Sequence, residues 1–158
     1  MTNKLFDRFA VFCLLALLGA CSQGPMGPYD RHADPAADFD QALREAGAAN
    51  RFVLVLFGAN WCPECRGLEE QLGKEPLRGL LAERFVLVHV DIGNWDRNMD
   101  FVARFGTPVD NGIPAIAIVE PGGEVRFVST AGEMANASSK TNGELTQWLS
   151  GLIGSKTG

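Results

Sequence analysis

Cysteines are the residues of this 158-residue chain with the greatest capacity for chemistry, and there are four of them. Cys62 and Cys65 enclose Pro63 and Glu64, which makes a Cys-x-x-Cys pair. Such a pair can be half of a zinc site, a structural disulfide, or a redox centre that cycles between dithiol and disulfide. The other two cysteines lie in the N-terminal segment, so only the pair at 62 and 65 needs a chemical explanation inside a fold.

Zinc and a structural disulfide explain the pair less well than redox chemistry does. A structural zinc ion takes four ligands, and His32 and His89 have no ligand spacing relative to the cysteines. A disulfide that closes so short a loop would stabilise the fold by only about 2 kcal/mol. Hydrophobic residues make up 46% of the chain, enough for a core without that bond. We therefore predict a redox pair and no metal site.

The residues around the pair favour a reactive thiol at the start of a helix. The apolar run Phe52–Phe57 predicts a buried strand that leads into the motif, and open α/β sheets place their sites at such strand ends. Pro63 suits the first helical position, which puts Cys62 at the N-cap. Free backbone N–H groups and the helix dipole stabilise a thiolate there. This predicts Cys62 as an exposed nucleophile and Cys65, one turn later, as a sheltered resolving thiol.

Hydrophobic periodicity predicts the elements that position this pair. They are, in order, a helix from residue 38 to about 47, strand Phe52–Phe57, a helix from Cys62 that Pro76 kinks or breaks, strand Phe85–Val90, helix Asp96–Phe105, strand Ile113–Val119, strand Glu124–Val128 after a Pro-Gly-Gly turn, and a helix through Leu145–Leu152. Helix-linked strands imply parallel pairing, and the hairpin adds an antiparallel edge. We predict an α/β fold with a mixed sheet of about four strands flanked by helices.

The motif and its surroundings resemble thioredoxin over roughly residues 38–154. The matching parts are the strand before the motif, Trp61-Cys62-Pro63-Glu64-Cys65, the strand Val86–Asp91, Gly112-Ile113-Pro114, the hairpin and the last helix. The resemblance implies a thioredoxin-like three-layer sandwich. It also implies that Pro114 is a cis-proline facing the cysteines, that the backbone of Ile113 binds an extended substrate segment, and that Trp61 shields the disulfide.

Two positions depart from the thioredoxin pattern. Thioredoxins usually carry a buried acid in the strand before the motif, which aids proton transfer to the resolving cysteine, and the aligned residue here is Leu56. Either another acid, Glu64 or Glu69, takes that role, or water does. The charge of Glu64, between the cysteines, disfavours the Cys62 thiolate and opposes a very oxidising potential. It favours a reductase over an oxidase, and isomerase activity stays open.

The N-terminal segment has the features of an export signal. Lys4 and Arg8 precede an uncharged apolar run, Phe9–Leu18, which is too short to span a membrane but fits a secretory signal. The run ends in Leu18-Gly19-Ala20-Cys21, which resembles the lipobox of bacterial lipoproteins and implies cleavage before an acylated Cys21. We predict a signal peptide at 1–20, a flexible Gly- and Pro-rich tether at 21–37, and the folded domain at 38–158. The alternatives are an ordinary signal peptide cut near Ala20 and a short buried helix.

The net charge and the predicted export signal limit the kinds of binding partner that this protein can have. The net charge is −5 and no stretch concentrates Lys and Arg, so we expect no nucleic-acid partner. The lipid anchor predicts a cell-envelope protein that faces the periplasm, with the outer membrane slightly favoured by the non-acidic Ser22. Reduction in that compartment needs electrons from another protein, which predicts a membrane electron donor.

These observations predict a membrane-anchored thiol:disulfide oxidoreductase without a cofactor, acting on protein thiols and disulfides. The alternative is a non-catalytic lipoprotein that holds a soft metal such as Cu(I) or serves as a scaffold. Two other features are given structural roles. His89 is predicted to be a packed core residue, and the polar segment Asn94–Asn98 is predicted to be a loop with a helix cap.

Overall fold

The computed structural model describes residues 27–130 and 132–154. Its helices and strands are α1 (Pro35–Ala49), β1 (Phe52–Gly58), α2 (Pro63–Leu72), α3 (Leu77–Arg84), β2 (Phe85–Asp91), α4 (Met99–Ala103), β3 (Ala115–Val119), β4 (Val125–Val128) and α5 (Asn142–Gly154), with single 3-10 turns at Pro108–Asn111 and Ala137–Ser139. The order agrees with the one predicted from the sequence. Within these residues no helix is long and apolar enough to cross a membrane.

The strands form one mixed sheet in the order β2-β1-β3-β4. β1 pairs in parallel with β2 and antiparallel with β3, and β4 is antiparallel to β3. All seven residues of β1 are buried, as expected of a central strand covered on both faces. The predicted α/β class and mixed four-stranded sheet are confirmed, and β1 delivers the chain to the cysteine motif.

Helices cover both faces of the sheet and make two apolar layers. On one face α1 and α4 pack on alternate residues of β1, where Phe57 contacts the rings of Phe101 and Phe105, and Phe39 of α1 contacts the same two rings. On the other face α2, α3 and α5 pack on residues that include Leu54. Period-two alternation in β1 therefore divides its side chains between the two layers, and the helix that carries the cysteines lies on the second.

The folded domain begins earlier than the predicted boundary at residue 38. Asp34 caps α1 by accepting hydrogen bonds from the N–H groups of Ala36 and Ala37, with Pro35 at the first helical position. Tyr29 is only 1% exposed. Within the described part of the predicted tether, residues 27–37, Tyr29 and Pro35 are therefore buried against the domain. Apolar periodicity missed this contact because a single aromatic in a Gly- and Pro-rich stretch makes no pattern.

The helix after the motif breaks near Pro76, which is one of the two predicted outcomes: α2 ends at Leu72 and α3 starts at Leu77. Two other boundaries differ from the sequence-based ones. α4 begins at Met99 rather than Asp96, because Trp95 and Asn98 have positive φ angles of 58° and 54°, and L-residues in that conformation do not continue a right-handed helix. The third strand begins two residues later than predicted, at Ala115.

Candidate active site

Cys62 caps the helix that follows β1, as the position of Pro63 predicted. Its backbone is extended, with φ −76° and ψ 119°, and Pro63 is the first residue of α2. The Cys62 Sγ accepts a hydrogen bond of 3.2 Å from the backbone N–H of Cys65. A sulfur in this position faces the first backbone N–H groups of the helix and the positive end of its dipole. The N-cap therefore gives Cys62 the environment of a nucleophile.

Both cysteines are free thiols and both are buried, Cys62 at 4% and Cys65 at 0% exposure. The predicted contrast between an exposed and a sheltered thiol is thus smaller than expected, because Cys62 is also covered. Burial raises the pKa of the Cys65 thiol well above its ordinary value, and the hydrogen bond with Cys62 raises it further. Cys65 must therefore give up a proton before its sulfur can act as a nucleophile.

The opposite wall of the site is the Ile113–Pro114 peptide. This peptide bond is cis, as the resemblance to thioredoxin implied. The Cys62 thiol donates to the carbonyl oxygen of Ile113 at 3.6 Å. The structure therefore brings Ile113 and Pro114 against Cys62, across 51 residues of sequence, and presents a backbone carbonyl next to the candidate nucleophile.

Two tryptophans form an exposed aromatic pair beside the motif. Trp61 is 47% and Trp95 49% exposed, and their ring centroids are 5.3 Å apart. The indole N–H of Trp61 donates to the carbonyl of Gly93 at 2.9 Å, which ties the motif to the loop after β2. Trp95 belongs to the segment predicted as a loop with a cap. In the sequence Trp95 is a single tryptophan in a polar segment, and no pattern there predicts its contact with Trp61.

The loop before Cys62 is held from both sides. The Arg66 guanidinium donates to the carbonyls of Asn60 and Trp61, at 3.0 Å each. The Asn60 side chain donates to the Tyr29 carbonyl at 2.7 Å and accepts from the Tyr29 N–H at 3.2 Å. Asn60 and Tyr29 therefore join the motif to the N-terminal segment, and neither role was predicted from the sequence.

Glu64 makes a contact that the sequence did not predict. Its carboxylate accepts a hydrogen bond of 2.9 Å from the backbone N–H of Ser138, which joins α2 to the 3-10 turn Ala137–Ser139. This hydrogen bond lowers the pKa of Glu64 below its ordinary value. The side chain thus remains charged at neutral pH.

Glu69 and His89 lie together behind the motif. Leu56, at the position of the usual thioredoxin acid, is 1% exposed and makes part of the core. The Glu69 carboxylate lies 3.0 Å from Nε2 of His89. His89 is therefore the partner of an acid and not only a packed core residue as predicted. Its side chain keeps 24% of its exposure because β2 is an edge strand.

The remaining site predictions concern ligands and the N-terminus. Among residues 27–130 and 132–154, no three His, Cys, Asp or Glu side chains are grouped so that they could hold a metal ion. The predicted signal peptide and the lipidation site Cys21 lie outside the described residues.

Similarity to known proteins agrees with this geometry. A family model described as thioredoxin-like matches residues 34–121, more than half of the chain. The crystal structure of a disulphide isomerase from Xylella fastidiosa Temecula1 is 34% identical with a TM-score of 0.78, and the match covers 82% of this chain and 99% of that one.

Two more distant structures share the fold. A thioredoxin from Thermus thermophilus is 24% identical with a TM-score of 0.55, covering 73% of this chain and 83% of that chain. The DsbH oxidoreductase is 14% identical with a TM-score of 0.59, covering 82% and 96%. No curated protein matches the sequence. With its fold, its paired cysteines and the family match, the chain belongs to the thioredoxin-like family.

Proposed function

We propose that this protein is a thiol:disulfide oxidoreductase that reduces disulfide bonds of other proteins through Cys62 and Cys65. The observation that carries the proposal is the asymmetry of the pair. Cys62 receives a helix N–H at its sulfur and lies against the Ile113 carbonyl, whereas Cys65 is fully buried one turn behind it. Such a pair suits a nucleophile with a resolving thiol.

The reaction transfers two electrons from the dithiol to the substrate. The Cys62 thiolate attacks one sulfur of the substrate disulfide, forms a mixed disulfide and releases the other sulfur as a thiolate that takes a proton from solvent. Cys65 loses its proton and attacks the Cys62 sulfur. The Cys62–Cys65 bond forms, the mixed disulfide breaks and the second substrate thiol leaves. The product is a reduced substrate and an oxidised enzyme.

Substrate recognition in this proposal uses backbone and aromatic groups. An extended segment beside its disulfide lies along Ile113 and Pro114, opposite Cys62. The exposed faces of Trp61 and Trp95 adjoin that position and offer rigid apolar surface to side chains near the substrate cysteine. The substrate class is therefore an unfolded or locally extended polypeptide.

The sequence of the N-terminal segment supports a location in the cell envelope. In our proposal Cys21 carries the lipid anchor, and the domain faces the periplasm, with the outer membrane slightly favoured. A reductase in that compartment needs electrons, so a membrane protein that reduces the Cys62–Cys65 disulfide is the proposed partner.

Isomerase activity is the second candidate, and a specific observation favours it. The Xylella fastidiosa protein that is 34% identical to this chain is called a disulphide isomerase. Isomerase activity also starts from a reduced pair, but the substrate resolves the mixed disulfide before Cys65 does. Refolding of a scrambled disulfide protein separates the two activities. For the non-catalytic alternative, with Cu(I) or as a scaffold, no observation gives comparable support.

The experiment is capture of the mixed disulfide. The reduced full-length chain with Cys65→Ser is mixed with a protein that contains intact disulfide bonds, such as insulin. Adducts are identified by mass spectrometry. We expect a stable adduct on Cys62, because the resolving thiol is missing. The Cys62→Ser variant is the matched control and should form none. Disulfide reduction that survives in Cys62→Ser would contradict the proposal.

A further inference from the structure

In thioredoxins a buried acid in the strand before the motif usually accepts the proton of the resolving cysteine, but the residue at that position here cannot accept a proton. Leu56 fills it and is buried. In the sheet register, the residue beside Leu56 on β2 is His89, and registered neighbours present their side chains on the same face of a sheet. A titratable group thus lies one strand away from the missing acid, on the face that α2 covers.

α2 brings a carboxylate to the same place. Glu69 follows Cys65 by four residues, so the two side chains share one face of the helix. The Glu69 Oε1 lies 3.0 Å from the His89 Nε2, and the two side chains keep only 19% and 24% of their exposure. The other candidate acid, Glu64, is engaged by the Ser138 N–H instead. Glu69 is therefore the acid that the fold places behind Cys65.

Tyr29 closes this cluster from the N-terminal segment. Its ring meets the His89 ring edge-on, with centroids 5.5 Å apart. Its hydroxyl end lies against Gly58, where an added Cβ would come within 2.6 Å of the hydroxyl oxygen. The hydroxyl is buried and has no hydrogen-bond partner of normal geometry among the described residues. Tyr29 thus packs on His89, the partner of Glu69, and carries no charge of its own into the cluster.

The charges in this region act on one another. Burial and then the Glu69 charge raise the pKa of Tyr29, followed by the effects of Cys65 and Cys62. The Glu69 charge also contributes to the raised pKa of Cys65, after burial and the contact with Cys62. Glu69, Tyr29 and the two thiols are therefore close enough to interact.

We propose that Glu69, positioned by His89, accepts the proton of Cys65 when Cys65 resolves the mixed disulfide. This inference rests on the proposed function. In the step, the Cys65 proton passes to the Glu69 carboxylate, directly or across one water molecule. The Cys65 sulfur then bonds to the Cys62 sulfur, and the electron pair of the broken bond leaves on the substrate sulfur, which takes a proton from solvent. His89 is the positioning residue.

The proton has a route out of the cluster. His89 also lines an open cleft along the edge of β2, together with Asp30, Asp38 and Glu45. An imidazole that contacts Glu69 on one side and this cleft on the other can return the proton to solvent. Glu69 is then ready for the next turnover.

The test separates capture of the substrate from resolution. The reduced full-length chain is mixed with a peptide disulfide, and samples are quenched in acid at intervals. Mass spectrometry then measures the amounts of the reduced chain, the mixed disulfide and the oxidised chain. With Glu69→Gln, which keeps the shape and polarity of the side chain, we expect resolution at neutral pH to slow at least about tenfold, as loss of an acid–base group does. The mixed disulfide should therefore accumulate, while its rate of formation stays unchanged.

The pH profile and two controls identify the cause. The resolution rate of Glu69→Gln should climb about tenfold per pH unit as hydroxide replaces the carboxylate, and the loss should shrink accordingly. Glu70→Gln, the exposed neighbouring acid that pairs with Lys74, should match the unmodified chain. In a Cys65→Ser background Glu69→Gln should have no effect, because only capture remains.

Several outcomes would overturn the proposal. Resolution at an unchanged rate and pH profile in Glu69→Gln would do so, and so would equal slowing of capture in the Cys65→Ser background, which would indicate a structural role. If Glu69→Gln fails to fold, His89→Gln is tested in the same way. We again expect slower resolution of the mixed disulfide and an unchanged rate of its formation. An unmodified chain that forms no mixed disulfide would reject the proposed function itself, a result distinct from either of these.

Discussion

At the scale of single residues, Cys62 and Cys65 have the same side chain and opposite surroundings. The Cys62 sulfur receives a helix N–H and faces the Ile113 carbonyl, whereas Cys65 is fully buried and its pKa is raised. The spacing of the motif and Pro63 were sufficient to predict this division. The surroundings of Cys65 were not, because Tyr29 comes from the N-terminal segment and His89, the partner of Glu69, comes from β2.

Trp95 provides a prediction at this scale. Trp95→Ala removes half of the exposed aromatic pair, so the KM for a protein disulfide should rise several-fold with little change in kcat. Activity on glutathione disulfide, which is too small to reach the pair, should stay near that of the unmodified chain. Val125→Ala is the control, because Val125 is 52% exposed at the far end of β4. Equal losses on both substrates would show that Trp95 does not bind the polypeptide.

At the scale of elements, the sequence predicted each helix and strand from its apolar period, and it erred at boundaries that this period does not mark. The segment before α1 has no period, yet Tyr29 packs against Gly58 and bonds to Asn60. Before α4, Trp95 and Asn98 have positive φ angles, and Asp91 contacts this loop through an ion pair with Arg97 at 2.6 Å and a hydrogen bond from Asn98. Such contacts are set by tertiary structure, which a single sequence does not encode locally.

The N-terminal segment therefore carries a stability prediction. Tyr29→Ala empties a buried site and should lower the free energy of unfolding by about 3 kcal/mol, as other large aromatic truncations do. Tyr29→Phe should stay within about 1 kcal/mol of the unmodified chain, because the lost hydroxyl has no hydrogen bond of normal geometry. Urea unfolding measures both. A cost below about 0.5 kcal/mol for Tyr29→Ala would match a flexible tether and contradict the packed segment.

At the scale of the whole molecule, the sheet brings three distant parts of the chain to one edge. β1 leads to the cysteines, the loop after β2 brings Trp95, and the turn before β3 brings the Ile113–Pro114 peptide. The fold class and the first and third of these could be predicted, because motif order and resemblance carried them. The pairing of Glu69 with His89 could not, because it depends on the register of two strands and the rotation of α2.

The most direct measurement of the central claim is a redox titration of the pair. The full-length chain is equilibrated in buffers of graded glutathione ratio, free thiols are alkylated, and the mass of the peptide with Cys62 and Cys65 is determined. We predict that both thiols disappear together in one reversible two-electron transition, at a potential nearer to about −270 mV than to about −120 mV. The first value is typical of thioredoxin and the second of a strong oxidant. Thiols that remain alkylatable in every buffer, or that form only separate glutathione adducts, would contradict the redox pair.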